Sequence, residues 1–130
     1  MTKYLFTLLF PKSIDASLVT QVNFQVTGDP ALEPPLPQDK MPAQINVGDT
    51  LTFTYQQANP NVQMSSCLLT QFNIDTSQKE TDLDFTDDFD KPITVTDSWV
   101  GSWVFHLLGM YKVNDTNAAF YLDPEATFHP

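Results

Sequence analysis

The segment Gly101-Ser102-Trp103-Val104-Phe105-His106-Leu107-Leu108-Gly109-Met110-Tyr111-Lys112-Val113 constrains the fold more than any other. Its odd positions carry Trp103, Phe105, Leu107, Tyr111 and Val113, an almost wholly apolar row. Its even positions mix Ser102, Val104, His106, Leu108, Met110 and Lys112. A period of two is the pattern of a strand, because successive side chains point to opposite faces. A strand apolar on one side and half-apolar on the other calls for a central place in its sheet, with both faces covered at its middle.

Shorter segments repeat the pattern. Residues 4–10 read as a first strand closed by Pro11 and buried on both faces. In residues 19–27, Val22, Phe24 and Val26 alternate with Gln21, Asn23 and Gln25. Residues 50–57 alternate most cleanly, with Leu51, Phe53 and Tyr55 inward and Thr50, Thr52, Thr54 and Gln56 outward. Ala43, Ile45 and Val47 form a short inward set. Further strands are expected at 66–74, at Ile93 with Val95, and at 120–122.

Turn residues separate these segments. Residues 13–18 read as a turn or a single helical turn, and Ala58-Asn59-Pro60-Asn61 reads as another turn. Asn46-Val47-Gly48-Asp49 is a tight corner, and Asn114-Asp115-Thr116-Asn117 is a hairpin turn. Five prolines between Pro30 and Pro42 rule out an interior strand there, since proline brings no N–H donor. That stretch reads as a surface crossover from one sheet to the other. Residues 75–90 read as an acidic loop. Seven or eight short strands and no amphipathic helix give an all-β fold. The expected architecture is a two-layer antiparallel β-sandwich with Greek-key connections, one domain over residues 1–130.

Charge narrows the function. Six lysines, no arginine and sixteen acids give a formal net charge of −10. Such a surface repels phosphate backbones, so nucleic acid is not an expected partner. The single cysteine, Cys67, excludes an internal disulfide and suits a reducing compartment. The apolar run 4–10 has one lysine before it but no small-x-small site close behind, so a strand fits it better than an export signal. No apolar stretch reaches membrane-spanning length. Asn114-Asp115-Thr116 matches a glycosylation acceptor, which bears only on an exported chain.

Candidate chemistry is sparse. Cys67, His106 and Met110 in a β-sandwich suggest a blue-copper site, but the only other histidine is His129, and the ligands do not cluster on one loop. A buried thiol and a half-buried histidine explain them more simply. Asp82-Leu83-Asp84-Phe85-Thr86-Asp87-Asp88-Phe89-Asp90 offers clustered carboxylates for Ca²⁺, without the glycine and closing glutamate of an EF-hand loop. A charged edge strand or solvated loop is the plainer reading. Neither a nucleophile elbow nor a Gly-rich phosphate loop is present, so no catalytic residue, resident metal or cofactor is assigned. The aromatic-rich last third provides material for a sugar platform. Trp99, read as exposed before the long strand, joins Tyr121 and Asp123 as candidate ligand-binding residues. Trp103 is assigned to the core.

The order of features resembles the PixA/AidA family of bacterial inclusion-body proteins. The resemblance rests on Asn46-Val47-Gly48-Asp49-Thr50-Leu51-Thr52-Phe53 entering a central strand, and on the terminal run Tyr111 to Pro124. Leu122 stands where that family has tryptophan. The resemblance implies an immunoglobulin-like sandwich without catalysis, cytoplasmic and accumulating in inclusions, with sugar binding as an activity. The partners expected are further copies of the chain, as a homodimer or larger array, and a glycan.

Overall fold

A computed structural model describes residues 1–11, 22–56, 61–74, 79–84 and 90–130, with the side chains at 56, 62, 65–72 and 79–84 outside the description. The expected turns at 13–18 and 58–60 lie outside the described residues. The described chain is all-β, with no α-helix among its elements. In chain order the strands are β1 (Lys3–Leu9), β2 (Asn23–Asp29), β3 (Ile45–Asn46), β4 (Thr50–Gln56), β5 (Val62–Asn73), β6 (Lys79–Asp84), β7 (Ile93–Thr94), β8 (Gly101–Val113), β9 (Thr116–Leu122) and β10 (Glu125–His129). One turn of 3-10 helix, Asp97–Trp99, leads into β8.

Two sheets form. The first, sheet A, runs β2-β1-β4-β7; the second, sheet B, runs β3-β10-β8-β5-β6, with β9 also on β8. Both are mixed rather than purely antiparallel. In sheet A, β1 pairs β4 in parallel, and in sheet B, β10 pairs β3 in parallel. Alternation cannot foretell this, because the side-chain period is the same in either direction.

β8 holds the centre of sheet B. On one side it pairs with β5 along almost its full length, with a shift of register between Met64 and Ser66. On the other side it pairs first with β10 and then with β9. A two-residue turn, Asn114-Asp115, joins β8 to β9, with Asn114 in the left-handed region at φ 53°. Asparagine tolerates that region, which such tight hairpins need. The pairing of β8 with β9 and then β10 stays in one register from Val113↔Thr116 to Gly101↔Phe128. Across the gap the Phe105 N–H donates to the Pro124 carbonyl at 2.9 Å. The last two strands therefore behave as one long partner of β8. The expected strand at 120–122 is longer than its sequence pattern, and β10 is an addition.

The inward faces of both sheets share one core. Tyr4, Phe6, Leu8 and Phe10 come from β1 and its end, Val26 from β2, and Leu51 and Phe53 from β4. Sheet B answers with the odd positions of β8 and with Phe120, Ala126 and Phe128. Phe6 stacks on Phe53 at 4.7 Å within sheet A. Phe10 reaches across to Tyr111 at 5.0 Å and meets Phe120 edge-on at 5.6 Å. Burial of this kind is the main favourable contribution to folding, at about 25 cal/mol per Å² of apolar area.

Several expectations need correction. β1 buries only one face, since Leu5 is exposed. The even face of β8 is not covered: Leu108 and Met110 are exposed. Of Ala43, Ile45 and Val47, only Ile45 is fully buried. The acidic stretch contains a strand, β6, paired with β5. The segment from Pro30 to Pro42 does link sheet A to sheet B. It also shields the outer edge of β2. Asp39, itself in the left-handed region, takes the Phe24 N–H on Oδ1 at 2.9 Å and gives its own N–H to the Phe24 carbonyl at 2.8 Å. Gln25 Nε2 donates to the Leu36 carbonyl at 2.7 Å.

Candidate functional site

The even positions of β8 and the odd positions of β9 make the outer face of sheet B. Cross-strand pairing sets Met110 against Ala119, Leu108 against Tyr121 and, by continuity of register, His106 against Asp123. Leu108 is 46% exposed, Met110 40% and Tyr121 40%. The Tyr121 hydroxyl and His106 Nδ1 share a hydrogen bond, and their rings stack at 5.6 Å with 27° between planes. Burial, and secondarily the Asp123 carboxylate, raise the Tyr121 hydroxyl above its usual pKa. At neutral pH that hydroxyl is protonated. The face therefore presents apolar surface beside a phenol, an imidazole and a carboxylate.

The three residues proposed from sequence as a ligand platform do not sit together. Tyr121 and Asp123 are exposed on one face, but Trp99 is buried. Its ring packs edge-on against Phe128 at 5.4 Å, and its carbonyl accepts a hydrogen bond from Trp103 Nε1 at 2.7 Å. The 3-10 turn folds Trp99 back onto the start of β8, and β10, absent from the sequence reading, supplies the ring that covers it. Asp123 lines a cleft of about 460 Å³ between the start of β2 and the β9–β10 junction, with Phe24, Met41, Leu122 and Glu125 among its walls. A second cavity of about 200 Å³ separates β2 from the proline-rich segment and is lined by Val26, Leu32 and Leu36.

The residue that sequence reasoning missed is Asp49. It is 2% exposed and the only buried polar or charged side chain among the described residues. Oδ1 accepts the Thr2 N–H and Oδ2 the Asn46 N–H, each at 2.8 Å. Its backbone closes the turn onto Asn46 and accepts from Val95. The carboxylate thus joins the entry to β1 to the β3–β4 turn, while the Asp49 main-chain carbonyl holds the segment after β7. A Gly-Asp pair in a turn ordinarily signals solvent, so nothing in the local sequence marks it as buried.

Among the described residues, no group of three or more His, Cys, Asp or Glu could hold a metal ion. The calcium candidate at 82–90 has residues 85–89 outside the described residues, and nothing is described of the side chains of Asp82 and Asp84. The Cys67 side chain, one of the three residues of the copper idea, is likewise outside the description. Among the described residues, no helix is long and apolar enough to cross a membrane.

The chain matches no protein-family model, no curated protein and no solved structure. Its own geometry is what a functional reading rests on.

Proposed function

We propose that this chain is a non-catalytic binding protein that works by associating with further copies of itself, through the outer face of sheet B. One observation carries the reading. Leu108, Met110 and Tyr121, three large apolar or aromatic side chains, stand together on one strand pair, each at least 40% exposed. Single exposed apolar side chains are ordinary, but a contiguous patch on a sheet marks a contact surface. The finer architecture that accompanies this reading is an immunoglobulin-like Greek-key sandwich of the PixA/AidA inclusion-body type, held in the cytoplasm. The crossover of residues 30–42 between the sheets supports it.

Sedimentation velocity over a wide concentration range tests the proposal. A concentration-dependent shift to larger species is expected, and Leu108→Gln should weaken it. A strict monomer up to about 1 mM, where even a −4 kcal/mol association would show, overturns it.

A second reading, carbohydrate binding, is favoured by the exposed Tyr121 ring two residues from the Asp123 carboxylate. An aromatic face packs on the apolar side of a sugar while a carboxylate takes its hydroxyls. A glycan array decides it: binding lost in Tyr121→Ala supports the reading, and silence across the array removes it.

A further inference from the structure

A sheet end that displays unpaired N–H and C=O groups is a template for another strand, and folds blunt such ends with charge, proline, shortness or a covering segment. Of the strands that end a sheet, four follow that rule and one does not. β3 and β7 are two residues long. β2 is covered by the proline-rich segment, with both backbone groups of Phe24 taken by Asp39. β6 carries Lys79, Glu80, Asp82 and Asp84 among six residues. β9 has none of these devices. It runs seven residues, Thr-Asn-Ala-Ala-Phe-Tyr-Leu, with no charge, no proline and no break in its register with β8.

The direction of its backbone groups follows from the ladder. The Phe105 N–H bonds the Pro124 carbonyl, so Phe105 and Pro124 are a hydrogen-bonded pair. Such pairs alternate along an antiparallel ladder. Carried back in the same register, Leu122, Phe120 and Ala118 bond to β8, while Asn117, Ala119 and Tyr121 turn their N–H and C=O outward. The same alternation holds in β10, where the outward His129 carbonyl accepts from Val47. β3 closes that end of the edge, and among the described residues nothing pairs with the outward groups of β9.

We propose that β9 is the association edge: two copies pair β9 to β9 in antiparallel fashion about a twofold axis near Phe120, joining their B sheets into one. This rests on the self-association reading above but sets the primary contact at the β9 edge of sheet B, with the outer face only extended across the junction. Charge favours a second copy as the occupant. A chain of net charge −10 repels its own copies over most of its surface. β9 is the neutral stretch, and the outer face beside it carries one cation, Lys112, in register with Asn117. In a pairing centred on Phe120, Asn117 of one copy lies opposite Asp123 of the other. Lys112 then stands one strand away from that carboxylate on the same face, twice over by symmetry. Ala119 and Tyr121 of the two copies face each other directly, which carries the apolar patch across the junction. An isologous contact of this kind closes as a dimer.

The test is sedimentation equilibrium on the full chain and three variants, with folding checked by circular dichroism. Ala119→Pro removes an outward N–H that β8 does not use, and should weaken association at least tenfold. Lys112→Glu sets like charges together and should weaken it several-fold. Adding Asp123→Lys to Lys112→Glu reverses the pair and should restore most of the loss. If Ala119→Pro fails to fold, the charge exchange alone decides. A wild-type chain that associates unchanged in Lys112→Glu, or a double variant that rescues nothing, overturns the β9 contact while leaving self-association standing. A monomeric wild-type chain removes both. A dimer that survives these changes but dissociates in Leu108→Gln places the contact on the outer face and not on the edge.

Discussion

Removing the Asp49 carboxylate should be among the most damaging polar substitutions in this fold. Its two oxygens satisfy the backbone donors of Thr2 and Asn46, and the group itself is 2% exposed. Hydrogen bonds to a charged acceptor contribute about 1.5–3 kcal/mol each, and a buried donor left alone costs about 1–3 kcal/mol. Thr2 and Asn46 are only half-buried, so water recovers part of the loss. Relief of the carboxylate's own desolvation recovers a further part. Asp49→Ala should therefore cost about 2–4 kcal/mol, a large share of the roughly 5–15 kcal/mol that holds a domain together. The assay is urea unfolding followed by tryptophan fluorescence, since Trp99 and Trp103 are both buried. The midpoint should fall with little change in slope. Asp49→Asn keeps one acceptor and turns a donor toward the other N–H, so it should fall between the two. A loss below about 1 kcal/mol for alanine, the size of one ordinary hydrogen bond, would refute the view that this side chain ties the entry of β1 to the β3–β4 turn.

Gly48 has φ 94°, and a Cβ there would meet only Met1 Cε at 3.9 Å, so Gly48→Ala should cost about 1 kcal/mol or more from backbone strain alone, measurable in the same urea titration. Phe105→Ala empties a site that is 1% exposed and should cost about 3–5 kcal/mol, whereas Leu108→Gln on the outer face should stay within about 0.5 kcal/mol. Tyr4 has its hydroxyl pKa raised above 10.0, first by burial and then by Asp49. A raised folded-state pKa means stability that is whole below pH 10.0 and drains away as pH climbs through the folded value, so thermal melts at high pH should show less alkaline loss in Tyr4→Phe.

β8 was legible because thirteen residues of alternation leave little choice, and β4 because threonines mark its outer side. The ends of the chain's last third were not. Pro124 reads as a stop, yet its carbonyl still serves Phe105, so the strand continues past it as β10. That continuation brings Phe128 against Trp99, which is why a tryptophan expected on the surface is in the core. β6 was hidden by its acids, which suit an exposed edge as well as a loop. The polarity of β1 against β4 was beyond reach, since partners separated by some forty residues leave no mark in either segment's periodicity. The candidate site suffered most. Tyr121 and Asp123 were legible as exposed polar and aromatic positions, but Asp49 sits between its own turn and two distant segments, those of Thr2 and Val95.

The parallel seat of β1 between β2 and β4 bears on how the chain acquires its shape during synthesis. Residues 3–9 leave the ribosome first, but the strand that lies along their second side is not made until Gln56. The hairpin of β8 with β9 and β10, by contrast, joins near neighbours at the end of the chain. Contacts between distant segments form slowly because a long loop must close before they count. The earliest-born strand should thus be half-dressed for longest, and pulse-labelled hydrogen exchange should find the amides of β8 and β9 protected before those of β1.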